Sequence, residues 1–124
     1  MNKGHTEYLF KNFPFFRPEV PLTESLMAFG FECGDGWFDL IKKLCEKLNA
    51  LNLKNFRVIQ VKEKFGGLRF YIGPVKTKKA DKVFRLIDKA TEKSYRTCEA
   101  CGRPGKPNKE GWIKTLCNNC RRTQ

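Results

Sequence analysis

Two C-x-x-C pairs, Cys98-x2-Cys101 and Cys117-x2-Cys120, lie fifteen residues apart near the end of the chain. Pairs at this spacing suit two knuckles closing one tetrahedral S₄ site, and four soft thiolates favour Zn²⁺ over hard cations. With every position filled by a thiolate no place is left for a reacting water, so the spacing predicts a structural ion. Redox chemistry by either pair is the lesser reading, because it calls for an isolated C-x-x-C. Gly102 allows the tight turn of the first knuckle, and Gly105, Gly111, Trp112, Ile113 and Leu116 predict a short hairpin between the pairs.

Two further clusters can carry binding chemistry. Glu32, Cys33, Gly34, Asp35, Gly36, Trp37 and Asp39 crowd the start of a helix. One reading is structural: Asp35 as a cap, Asp39 beside the positive end of the dipole, Trp37 and Cys33 in the core. The other is a pocket in which Trp37 stacks on a ring and Glu32 or Asp35 accepts its hydrogen bonds. The second cluster, Lys62 to Tyr71, surrounds Gly66-Gly67. A two-residue turn at that pair sets a register in which Lys62, Lys64, Arg69 and Tyr71 share one sheet face. Such a face can meet phosphates and bases, or stand simply solvated. The same register puts the Glu63 carboxylate on the apolar face, where it must find a cation or an opening. His5, the only histidine, has no partner visible in the sequence and reads as part of a mobile end, which disfavours His-based acid–base or nucleophilic catalysis. Cys45 reads as core.

The elements that position these residues form an α+β chain. Trp37, Leu40, Ile41, Leu44, Leu48 and Leu51 recur at helical spacing after Asp35-Gly36. Alternation from Phe56 to Ile72 predicts an antiparallel hairpin with Ile59, Val61, Phe65, Leu68, Phe70 and Ile72 on one face. A second helix spans Lys79 to Tyr95, with Ala80, Val83, Phe84, Ile87 and Ala90 inward. Three parts follow: a Phe/Pro-rich arm over 1–31, an α+β core over 32–95 and a metal unit over 96–124. The arm's prolines disfavour regular helix, and its rings offer apolar surface to the core or to a second copy of the chain.

Composition sets the class of partner. The 124 residues hold 25 Lys and Arg against 13 Asp and Glu, a formal charge of +12. The first 36 residues carry three cations against five carboxylates, so the excess lies in the rest. One Zn²⁺ with four thiolates leaves about +10. That balance favours phosphate-bearing partners. The start lacks the order of a secretory signal and no apolar run has membrane-spanning length, so the expected location is the cytoplasm, where paired C-x-x-C units point to metal rather than disulfides.

The strings F-G-F-E-C-G-D-G-W at 29–37, V-K-E-K-F-G-G-L-R-F-Y at 61–71, and S-Y-R-T-C-E-A-C-G with G-W-I-K-T-L-C-N-N-C within 94–120 resemble a group of small proteins encoded by bacteriophages, prophages and bacteria. The resemblance runs from about Pro21 onward and implies a phage or mobile-element context, with the host cytoplasm as the location; it transfers no catalytic residue. The expectation is therefore a non-catalytic protein whose nucleic-acid ligand meets Lys62, Lys64, Arg69, the outward lysines of the second helix and the basic metal unit (Arg96, Arg103, Lys106, Lys114, Arg121, Arg122), with Tyr71 or Trp112 stacking on bases. The alternative is a phage-type sponge holding a small cyclic or dinucleotide signal between the Glu32–Asp39 segment and the hairpin. A protein-binding inhibitor using the aromatic arm is a third.

Overall fold

The computed structural model describes residues 1–123. Asn2 opens helix α1 (Lys3–Asn12) by accepting the His5 N–H at 2.8 Å. The helix stops at Phe13, held extended ahead of Pro14. A 3₁₀ turn at Pro14–Phe16 and another at Met27–Phe29 lead to strand β1 (Phe31–Glu32). A third turn at Asp35–Trp37 runs straight into α2 (Phe38–Asn49). Strands β2 (Val58–Lys64) and β3 (Gly67–Ile72) follow, then α3 (Ala80–Ser94).

The sheet has the order β1-β2-β3, with β1 parallel to β2 and β3 antiparallel to it. Phe31, Val61, Leu68 and Phe70 point from it into a core shared with α2 and α3. The helical periodicity is met by Leu40, Ile41, Leu44 and Leu48 on α2 and by Val83, Ile87 and Ala90 on α3, all buried. Phe84 departs from the expectation: it stands 51% exposed, and Ser94 instead ends the buried stripe, donating to Thr91 O and accepting the Leu68 N–H.

Residues 1–31 are not a regular-structure-free arm. They include α1, and Leu9, Phe13, Phe15, Phe16 and Met27 belong to the same core as the sheet. Phe16 packs edge-on against both Phe31 and Phe70. The prolines end the helix without preventing it, because Pro14 follows its last residue.

The hairpin turn sits one residue earlier than Gly66-Gly67. Lys64 pairs with Gly67, Glu63 with Leu68 and Lys62 with Arg69, leaving Phe65 (φ 54°) and Gly66 (φ 83°) as the turn. Gly67 is needed for another purpose, since a Cβ there would lie 2.3 Å from the Tyr95 ring. The shift preserves parity, so Val61, Leu68 and Phe70 face the core as expected, but Phe65, expected beside them, is moved into the turn and stands 67% exposed. A bulge between Val58 and Gln60 also changes one assignment, burying Val58 where Ile59 was expected.

Phe16→Ala should cost about 3–5 kcal/mol in denaturant unfolding, the cost of emptying a core aromatic site. A loss of a few tenths would mean that the N-terminal segment only rests on the surface.

Candidate metal centre and basic sheet face

The C-terminal unit is built around its cysteines. Cys98 is fully buried and its carbonyl accepts the Gly102 N–H at 2.9 Å, with Gly102 at φ 84°, closing the first knuckle. The second knuckle is the start of α4 (Asn118–Arg122), where the Cys117 sulfur accepts the Cys120 N–H. Strands β4 (Lys106–Pro107) and β5 (Thr115–Leu116) pair between them. The four Sγ atoms lie within 4.8 Å of one another, and those of Cys101 and Cys117 are 3.7 Å apart. Sulfurs about 2.3 Å from a tetrahedral ion stand about 3.8 Å from each other, so the cluster can hold a metal ion.

Two of the four thiols, Cys98 and Cys117, are held below their ordinary value and two, Cys101 and Cys120, above it. Burial opposes ionisation of Cys98, but N–H groups of Cys117, Cys101 and Ala100 outweigh it and bring the thiol down to about 6. The Cys120 N–H likewise lowers Cys117. Cys120 is pushed up to about 12, chiefly by the Cys117, Cys101 and Cys98 sulfurs. Four thiolates this close repel one another unless a cation lies between them. Cys33 and Cys45 stand apart as buried thiols, Cys33 raised to about 12 mainly by burial and Cys45 raised well above the ordinary value.

The three sequence clusters meet where this unit joins the core. Gly36 N donates to Glu99 O at 2.7 Å, and Gly34 N to the Glu99 carboxylate at 2.9 Å. A Cβ on Gly36 would lie 2.2 Å from Cys98 O, and one on Gly34 2.4 Å from Glu99 O. Lys114 Nζ lies 3.0 Å from the Glu63 carboxylate and 3.4 Å from that of Glu99. The second Glu63 oxygen accepts the Gly66 N–H, and Thr115 Oγ1 donates to Gly66 O. Lys114 is thus the cation that the inward Glu63 requires. Lys114, expected from sequence among the cations that meet phosphate, is instead turned inward to Glu63 and Glu99; Glu99 carries no signal in the sequence, and the inward Glu63 is the one local sign of this network.

Trp37 is 0% exposed and donates its indole N–H to Thr97 O at 2.9 Å. Its ring therefore cannot stack on a ligand, and the expected pocket built on it does not form; the structural reading describes it. Asp35 caps no helix. Its carboxylate accepts the Asn2 N–H at 2.6 Å and lies 3.0 Å from His5 Nδ1, while the His5 ring stacks on Phe38. His5 thus has a partner, against the expectation of a mobile end. The Asn2 N–H, helped by His5 and opposed by partial desolvation, holds the Asp35 carboxyl below its ordinary value. This clasp therefore adds stability above the ordinary carboxylate range and loses it as pH falls through the depressed value.

The outer sheet face carries the other expected residues. Lys62 stands opposite Arg69, Gln60 opposite Tyr71, and Lys64 lies next to the turn. Glu32 is beside Lys62 on the β1 edge and accepts from the Gln60 amide at 3.2 Å. Among the described residues, Lys62, Lys64 and Arg69 make no ion pair. Tyr71 is exposed, and Trp112 is 82% exposed in the loop before β5. Asp35 instead lines a separate cleft of about 440 Å³ with His5, Phe38, Lys43 and Lys93, so the Glu32–Asp39 segment and the hairpin face do not converge on one ligand cavity.

No protein-family model, curated protein or solved structure matches the chain. Among the described residues, no helix is long and apolar enough to cross a membrane.

Purified protein should contain about one metal ion per chain by elemental analysis, and Cys98→Ser should release it and unfold the C-terminal unit. Metal-free protein with an intact unit would contradict this. Gly36→Ala should lower stability by at least about 2 kcal/mol, because the methyl group meets backbone rather than a movable side chain.

Proposed function

We propose that the protein is a non-catalytic binder of nucleic acid, acting in the cytoplasm, with Zn²⁺ as the structural ion of its four-cysteine unit. The observation that carries this reading is the outer sheet face. Lys62 and Arg69 are directly opposite each other and, among the described residues, have no ionic partner. Like charges opposed across two strands repel, and a phosphate between them removes the repulsion. Lys64 extends the charge toward the turn, and Tyr71 adds an exposed ring on the same face.

The form of this face favours a polymer over a small enclosed ligand. A flat row of cations follows a phosphate backbone, whereas a sponge needs polar groups converging in a cavity. Other cations are committed internally: Lys114 to Glu63 and Glu99, Arg121 to the Lys106 and Leu116 carbonyls. The resemblance of the motifs to phage and prophage proteins is consistent with action on host or phage nucleic acid. The choice of Zn²⁺ rests on the four soft ligands and the absence of a fifth position.

DNA or RNA binding should persist near physiological ionic strength and weaken steeply with added salt. Changing Lys62, Lys64 and Arg69 together to Ala should weaken it for all sequences and reduce the salt slope by about 3. No binding by the parent protein near physiological salt would overturn the proposal.

A further inference from the structure

The turn of the hairpin departs from the usual solution. Its first residue needs a positive φ, a place that Asn, Asp or Gly fills with little strain. Here it is Phe65, at φ 54°. A bulky aromatic residue in that region is strained, and such strain persists where the fold or the function uses it. The fold does not recover it through packing, because the Phe65 side chain is 67% exposed.

A second large ring stands beside it. Phe65 and Trp112 line one cleft of about 360 Å³ together with Glu63, Lys64, Gly111 and Ile113. Both backbones are pinned. The Gly66 carbonyl accepts from Thr115 Oγ1 at 2.6 Å, and the Asn108 amide donates to Trp112 O at 2.9 Å while its oxygen accepts the Lys114 N–H at 2.7 Å. The rings are thus presented to solvent on braced turns. Lys64 Nζ lies 5.5 Å from the Phe65 ring centroid, joining the cleft to the cationic row of Lys62 and Arg69.

We propose that Phe65 and Trp112 form a clamp that stacks an unpaired base, which makes single-stranded nucleic acid the preferred ligand of the basic face. This rests on the nucleic-acid reading above and narrows it. The occupant follows from charge complementarity: an apolar slot continuous with free cations fits a flat ring carried on a phosphate backbone. Bases inside a duplex are stacked on each other and present no face to such a slot, whereas splayed single-strand bases do. Glu63 lines the cleft without repelling the strand because its charge is neutralised by Lys114.

The probes are an oligothymidylate of about 12 nucleotides and a duplex of the same length. Oligothymidylate should quench the emission of Trp112, the buried Trp37 being out of reach, and should bind more tightly than the duplex. Trp112→Ala and Phe65→Asn should each weaken oligothymidylate binding roughly ten-fold, with the salt slope and duplex binding unchanged. Phe65→Asn should also raise the thermal midpoint, since Asn tolerates the left-handed conformation, so lost binding cannot be ascribed to misfolding. The clamp is overturned if both variants bind oligothymidylate like the parent, or lose duplex and single-strand binding equally. Should they bind like the parent while the triple cation variant loses affinity, the clamp alone fails. If the parent binds neither probe, the nucleic-acid reading fails with it.

Discussion

Between Gly34–Gly36 and Cys98–Glu99 the two backbones approach so closely that no side chain fits between them. The contact is made by main-chain groups: the Gly36 N–H meets the Glu99 carbonyl, and the Gly34 N–H meets its carboxylate. Glu99 N in turn donates to Thr115 O, so one residue ties the first knuckle, the second β-ribbon and the start of α2 together. Buried main-chain donors must be satisfied somewhere, and here each is satisfied across the boundary between the core and the cysteine unit. The unit therefore belongs to the core's hydrogen-bond network and does not hang from it. A metal held by Cys98 would fix the neighbouring Glu99 and, through it, the segment leading into α2.

The same joint sorts the charges of a strongly basic chain. Lys114 sits between two largely buried carboxylates, where desolvation works against its charge but the hydrogen bond it donates to Glu63 and the charges of Glu63 and Glu99 raise its pKa nonetheless. Removing one partner would leave a charge buried without compensation, which is why such clusters persist even when their net worth is small. Glu63 also caps the Gly66 N–H, so the ion cluster reaches directly into the hairpin turn. On the other side of the same strands, Lys62, Lys64 and Arg69 make no ion pair among the described residues, and the turn that carries Phe65 is tied to the cysteine unit behind it by the Thr115 hydroxyl, which donates to Gly66 O.

Much of this was legible in local pattern. The spacing of the cysteines announced the cluster, helical periodicity located α2 and α3 to within a residue or two, and alternation assigned the hairpin faces between Gln60 and Lys64 and along β3, failing at the bulge beside Ile59 and at the turn residue Phe65. What escaped was set by contacts far apart in sequence. Gly67 was read as a turn residue because nothing local reveals that the Tyr95 ring occupies the space of its missing side chain. Trp37 fits the apolar stripe and also a ligand pocket on local pattern, and its indole bond to Thr97 O, sixty residues away, places it in the core. His5 had no visible partner because its partner, Asp35, is thirty residues distant. The Phe-rich segment reads as an arm because its prolines disfavour helix, yet all of them follow Asn12 and leave the ten-residue helix ahead of them intact, and composition alone cannot say which surface an aromatic cluster covers. Glu63 was the exception: an acid out of place on an apolar face correctly signalled a hidden cation.

The main-chain bonds across the joint make the cysteine unit and the α+β core one cooperative body, which a metal ion bound by the four cysteines would stabilise as a whole. Hydrogen exchange of individual amides before and after removal of the metal by a chelator tests it directly. If the account holds, the N–H groups of Gly34, Gly36 and Gly66 lose protection together with those of Cys98 and Gly102, because their acceptors lie on or depend on the unit. Loss of protection confined to residues from Cys98 onward, with Gly34, Gly36 and Gly66 still protected, would contradict it.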